Sequence, residues 1–335
     1  MAQVYLPQQK ATCNMGRIAQ NRLWPNNRNS RLLALPRLRY LNMKVSLFHK
    51  ILPNFIRFPL ALFLRKSGIT AAVQTALCIS ESKRLAATFT PTKSNHSNSK
   101  VLIVCAHYNH LNWLPGCVDS VLAQTHPNWQ LIIVDDASTD PNTLHELTTQ
   151  TSKDSRIKAI QLENNSGAYI ARNTALQAAD PDWTHITFID PDDEAYTNWL
   201  SHLLDVLGTH QGTVLPVLER WTPDFSKRNS MYFGHCQSLH SKKTWKLLGG
   251  FLPVRVSADA ELTLRTSLLS KLGKSTLHKS FNPAQKMRSF PSSSSHQALR
   301  ERKLWLERRY ASLANPTLKK LCITPTTSPW RDCNP

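Results

Sequence analysis

Between residues 101 and 193 short apolar runs alternate with helical stretches, and this rhythm restricts the chain more than any other feature. Residues 101–105, 131–134, 157–162 and 186–189 read as strands, and helical patterns occupy about residues 111–124, 142–149 and 167–179 between them. Strands separated by helices of this length predict an α/β domain with a mostly parallel sheet sandwiched by helices. Ligands of such sheets lie beyond the carboxyl ends of the strands. Two acidic clusters fall there, Asp135-Asp136 after the second strand and Asp190-Pro191-Asp192-Asp193 after the fourth. Beyond residue 195 the pattern loosens. Helices are expected at 198–207, 241–248 (stopped by Gly249-Gly250) and 258–271, with a strand at 214–218. Residues 220–240 show no regular pattern but carry Trp221, Tyr232, Phe233 and His235, which marks them as a candidate recognition region.

Charge divides the chain in three. The net +19 is made of 16 Lys/Arg against one acid in residues 1–100, 12 against 18 in 101–266, and 13 against three in 267–335. An acidic middle between basic ends predicts a cation-binding centre whose flanks are drawn to an anionic surface. With no nucleic-acid motif, the cytoplasmic membrane leaflet is the preferred surface and nucleic acid is disfavoured; a solvated flank without a partner stays open. The seven cysteines are odd in number and none forms CxxC, which argues against a disulfide framework or zinc ribbon and suits a cytoplasmic location.

The flanks divide further. Residues 1–43 are an Arg-rich extension, with Met43 as an alternative start. Residues 44–90 read as a basic amphipathic helical segment whose first part, 44–66, fits an interfacial helix or one packed on the domain; charges and prolines interrupt it too often for a span. Residues 91–100 read as a linker, 101–290 as the catalytic domain and 291–335 as a basic helical tail.

Each acidic cluster suits particular chemistry. Two carboxylates one residue apart after a buried strand can face the same side of a turn, and Mg²⁺ or Mn²⁺ takes one or two carboxylates plus substrate phosphates. An Asp-Pro turn capping the next helix is the alternative. Asp136 can accept from a base N–H or ribose hydroxyl, or cap a helix. Tyr108 can stack on a nucleobase. Arg172 offers a planar fork for a diphosphate, or a salt bridge on its own helix.

The stretches VLIVCAHYNHLNWLPGCVDSVLAQTHPNWQLIIVDDASTD, NNSGAYIARNTAL and ITFIDPDDE, in that order, resemble the family 2 glycosyltransferases of the GT-A, nucleotide-diphospho-sugar transferase fold. KKTWKLLGGFLPVRVSADAELTLR is similar to the family's second half, so the resemblance covers about residues 100–266. It implies that a nucleotide-sugar donor binds with Tyr108 and Asp136 on the nucleobase and Asp190 on the ribose. Asp192 would ligate Mg²⁺ or Mn²⁺, with Asp193 as alternate. Asp259, with Glu261 as alternative, would be the base for an inverting transfer to a saccharide, lipid-linked or protein acceptor in surface polysaccharide or glycolipid synthesis, at the inner membrane face. The chain departs from the family pattern at Ala258, where a Glu is usual, and at Phe290, where a late His is usual; His296 follows a few residues on. Those departures favour one rival, a degenerate glycosyltransferase-like binding protein. A nucleotidyltransferase is disfavoured because no Gly-rich basic loop follows the first strand.

Overall fold

The computed structural model describes residues 69–90, 96–255 and 257–290. The expected extension at 1–43, the first part of the amphipathic segment, residues 91–95 of the linker and the tail at 291–335, with His296, lie outside the described residues.

The parallel sheet forms as the sequence predicts. β1 (Val101–His107), β2 (Trp129–Asp135), β3 (Ile157–Gln161) and β4 (His185–Ile189) alternate with α2 (Leu114–Leu122), α3 (Thr143–Ser152) and α4 (Ala168–Ala178), after an initial helix α1 (Ile69–Thr88). β1 lies between β2 and β4, parallel to both, and β3 flanks β2. All seven residues of β1 are buried, because helices cover both faces of the sheet. Val101, Ile103 and Cys105 pack toward Leu114 and Val118 of α2 and Leu200 and Leu203 of α5 (Trp199–Leu207). Leu102, Val104 and Ala106 face the opposite way, toward Ala171 and Ala175 of α4. The pleat's period of two thus sorts one strand into two cores. Each fully buried Ile or Leu contributes roughly 1.5–3 kcal/mol.

The second half extends the sheet. Beyond the two-residue β5 (Glu194–Ala195) come β6 (Gly212–Trp221), β7 (Arg228–Phe233), β8 (Leu239–Ser241), α6 (Lys242–Leu248), α7 (Ala258–Lys271) and β9 (Thr276–Arg288). The strand order is β3-β2-β1-β4-β8-β6-β9-β5, with β7 beside β6. β8 is antiparallel to both β4 and β6, and β9 is parallel to β6. Two reversals cancel, so β6 and β9 run with β1–β4 and end on the same edge. The short β5 and β8 and the longer β7 and β9 are the strands the sequence did not announce. β9 carries Pro283 and mostly polar residues, and its register with β6 shifts around Val217. A broken register and a proline erase the alternation by which a strand is recognised.

Two flanking expectations change. Residues 96–98 form a 3-10 turn rather than open linker; His96 Nε2 lies 3.0 Å from Asp205, and Asn128 Nδ2 donates to the Ser97 carbonyl at 3.1 Å. Helix α1 packs on the domain through Cys78, which joins Val217 and Met231, and the Met231 N–H donates to Thr75 Oγ1 at 2.9 Å. That helix covers part of β7, an edge that would otherwise offer free backbone groups. No described helix is long and apolar enough to cross a membrane.

Candidate active site

At the carboxyl edge the first two loops are locked to each other. Asn109 adopts φ 55°, and its N–H donates to Ser138 Oγ at 2.9 Å, while the Thr139 N–H donates back to Asn109 Oδ1 at 2.9 Å. Asn tolerates this left-handed backbone better than most residues. Below them Asp135 accepts from Ser138 and faces His107 Nδ1 at 3.0 Å, both side chains fully enclosed. Burial pushes the Asp135 carboxyl up, but the hydrogen bonds from His107 and Ser138 outweigh it and hold it below the usual range. The loop so fixed presents Tyr108, 40% exposed, to solvent.

Asp136 is buried, and its oxygens accept the N–H groups of Ser166 at 2.7 Å and Gly167 at 2.8 Å at the start of α4. Burial raises its carboxyl despite those two bonds. Gly167 has φ 92°, a backbone state that a side chain would strain. Two lone pairs on each oxygen leave Asp136 further acceptor capacity.

Helix α4 then fixes both remaining acids. Tyr169 donates its hydroxyl to Asp259 Oδ1 at 2.8 Å, and Arg172, one turn on, binds Asp190. Residues three apart share a helix face, so one turn of α4 holds the acid after β4 and the acid opening α7. Asn173 pairs with both backbone groups of Phe251, at 3.0 and 2.8 Å, and a side chain at Gly250 (φ 85°) would come 2.8 Å from its Oδ1. The Gly-Tyr-Arg-Asn pattern is therefore a bracket joining the two halves. Burial pushes the Cys236 thiol up; Arg172 opposes this, and Asp190, Asp259 and Asp193 add to it. His235 borders Asp259 and is held by Thr263 Oγ1 at 3.0 Å. Tyr169 was not marked in the sequence, though its spacing to Arg172 was the available signal; His235 lies in the 220–240 stretch already marked there.

The loop after β4 is clamped from β9. The Arg288 N–H donates to Asp193 at 3.0 Å, its Nη1 donates to the Asp192 carbonyl at 2.6 Å, and its Nη2 meets Glu194 at 3.0 Å. The guanidinium lies over Phe225 at 3.9 Å and Trp113 at 4.4 Å. Asp192 stays partly exposed; burial first, then Asp190, raise its carboxyl, while His110 from the loop after β1 opposes them.

Three of the expected site residues are enclosed by the fold. Arg172 is not free for a diphosphate: its side chain is 6% exposed and committed to Asp190, which is 28% exposed and also receives Gln237 Nε2 at 3.4 Å. Asp193 is 1% exposed: its Oδ1 accepts the Arg288 N–H, while its Oδ2 is enclosed without a hydrogen-bond partner among the described residues. Glu261 is not an alternative base: it is fully enclosed and paired with Arg265 at 2.7 Å, whose Nη2 also donates to the Gly250 carbonyl at 2.9 Å. That pair supports the Gly-Gly turn. Asp259 remains as the half-buried acid at the start of α7.

Among the described residues no group of three His, Cys, Asp or Glu side chains could hold a metal by itself. Burial first, and then Asp190, disfavour the ionised form of Asp192, and a hard cation with its other ligands from phosphate and water would offset both.

Residues 102–257 match the Glycosyl transferase family 2 model. This segment belongs to that family. TuaG of Bacillus subtilis (strain 168), named as a teichuronic acid biosynthesis glycosyltransferase, is 43% identical over 95 residues, 28% of this chain and 36% of TuaG. The Escherichia coli UDP-Glc:alpha-D-GlcNAc-diphosphoundecaprenol beta-1,3-glucosyltransferase WfgD is 38% identical over 106 residues, 32% of this chain and 38% of WfgD. The chain thus spans well under two thirds of these curated relatives. Among solved structures, S. aureus TarS 1-349 in complex with UDP superposes with TM-score 0.51 at 19% identity, covering 66% of this chain and 68% of that one. The Pyrobaculum calidifontis mannosyltransferase PcManGT, in complex with GDP-Man and Mn²⁺, gives 0.51 at 17% identity, covering 77% and 76%. These likenesses establish the GT-A fold of the family 2 segment.

Proposed function

We propose that the family 2 domain transfers a glycosyl group from a nucleoside-diphosphate sugar to an acceptor hydroxyl, with inversion. The observation that carries this reading is the single helix turn holding Asp190 and Asp259 through Arg172 and Tyr169. It sets a donor-side carboxylate and a candidate base in fixed relation at the sheet edge where such folds bind nucleotides.

In this reading Tyr108 stacks on the nucleobase, Asp136 accepts its N–H, and Asp190 receives a ribose hydroxyl. Asp259 takes the acceptor O–H proton as the acceptor oxygen bonds to the anomeric carbon. The bond from that carbon to the diphosphate oxygen breaks on the opposite face, and the nucleoside diphosphate leaves with the electron pair. Asp192 would hold Mg²⁺ or Mn²⁺, which supplies charge stabilisation to the departing diphosphate. The names of the relatives support a cell-surface polysaccharide or lipid-linked acceptor. The basic flanks support peripheral attachment to an anionic cytoplasmic leaflet.

Asp259→Asn tests the base. Turnover of the accepted nucleotide sugar should fall roughly 10²- to 10⁴-fold, with nucleoside-diphosphate affinity unchanged by calorimetry. Equal loss of binding and turnover would remove the base assignment.

A further inference from the structure

Burial of Arg172 leaves the site without the cation the sequence seemed to supply for phosphate. Arg220 meets the requirement from the other half of the sheet. It stands one residue from the end of β6, and that end shares the edge occupied by Asp135 and Asp190, as the two antiparallel pairings through β8 require. Its guanidinium lies 4.9 Å from the Tyr232 ring centroid on β7, half-buried.

Among the described residues Arg220 has no ion pair, a trait it shares with Arg255, whose guanidinium is instead held by the Asn165 side chain and carbonyl at 2.9 and 3.1 Å. Arg172, Arg228, Arg265 and Arg288 each meet a carboxylate, whereas no described carboxylate stands within ion-pair distance of Arg220. Its sequence neighbour Glu219 is already taken by Tyr196, Trp221 and Arg228. Tyr232 first, and Asp193 and Asp259 further off, keep the guanidinium charged against its burial. A planar cation resting on an aromatic ring, near the site acids and bound to none of them, is suited to a bidentate phosphoryl contact.

We propose that Arg220 is a phosphoryl-binding side chain of this site, taking either the donor diphosphate or a phosphate carried by the acceptor. The assignment rests on the glycosyltransferase reading and fixes where its anionic contact lies. Both sources offer the same oxygens, and the charges of both Asp193 and Asp259 reach Arg220.

The test compares wild-type, Arg220→Met and Arg220→Lys protein in calorimetric titrations with UDP, GDP, UMP and GMP in Mg²⁺. Inorganic phosphate is then titrated into free and nucleotide-loaded protein. If Arg220 grips the donor, Met weakens the diphosphates roughly 10- to 100-fold while the monophosphates change little, and Lys falls between. If it grips the acceptor, nucleotide binding holds and phosphate binding to the loaded protein is lost. Unchanged affinities in both arms overturn the proposal. A wild-type protein that binds no nucleoside diphosphate instead overturns the glycosyltransferase reading, and phosphate binding to free protein then still reads Arg220 alone. Should Arg220→Met melt early, Arg220→Lys, which retains a cation over Tyr232, carries the comparison.

Discussion

The β1–β4 half and the β6–β9 half reach the same sheet edge, but they manage charge differently. In the first, three of the acids at strand ends are spoken for, Asp135 by His107 and Ser138, Asp136 by two backbone N–H groups and Asp190 by Arg172, with the Asp192 carboxylate the exception. In the second, Asp259 has a single tyrosine hydroxyl and Arg220 has an aromatic ring. Committed groups hold geometry, and lightly held ones are available to a substrate. In the proposed function, the contrast sets a preorganised donor cradle against a more open acceptor side.

Three substitutions break or sharpen that contrast. Arg172→Met should be the most damaging, because it strips a buried partner from Asp190. The cost lies near the low end of the roughly 3–5 kcal/mol for breaking a buried pair, since Asp190 is 28% exposed. A denaturant melt reads it directly, and a loss below about 1 kcal/mol, the scale of a surface pair, would mean the donor cradle is not preorganised by this pair. Tyr169→Phe acts across the two halves. It should lower kcat by about tenfold or more, the scale of a hydrogen bond to a charged group, and leave the donor KM unchanged; a matching rise in KM would place Tyr169 in the donor cradle.

The smallest effect concerns acid stability. The Asp135 carboxyl is depressed in the folded protein, so its contribution is present above the ordinary carboxylate pKa of about 4 and is lost as pH falls through the lower folded value. Wild-type melting temperature should therefore decline below about pH 4 more steeply than that of Asp135→Asn. Parallel curves would show that His107 and Ser138 do not stabilise the charge.

How much of this could be read from sequence follows the same division. β1, β2 and β4 are buried on both faces, so continuous apolar runs marked them, and their terminal acids stood out against those runs. Asp192 and Asp259 were legible as residue types at strand and helix boundaries. Whether a carboxylate or guanidinium is already engaged depends on contacts such as Arg172 with Asp190, 18 positions apart, or Arg288 with Asp192, 96 apart. No local pattern carries that information, which is why the enclosure of Arg172, Asp193 and Glu261 was not legible. Arg220 escaped notice because β7, β8 and β9, which give it its setting, are short, bulged or interrupted by proline.

The most direct test is the melting temperature of the wild-type protein against a panel of nucleoside-diphosphate sugars, with and without Mn²⁺. A ligand at 100 times its Kd adds about 2.7 kcal/mol to the folded state. The account predicts that at least one nucleotide sugar raises the midpoint, more strongly with Mn²⁺, and that Asp192→Asn removes the metal-dependent part. A midpoint unmoved by every member of the panel at millimolar concentration would contradict it.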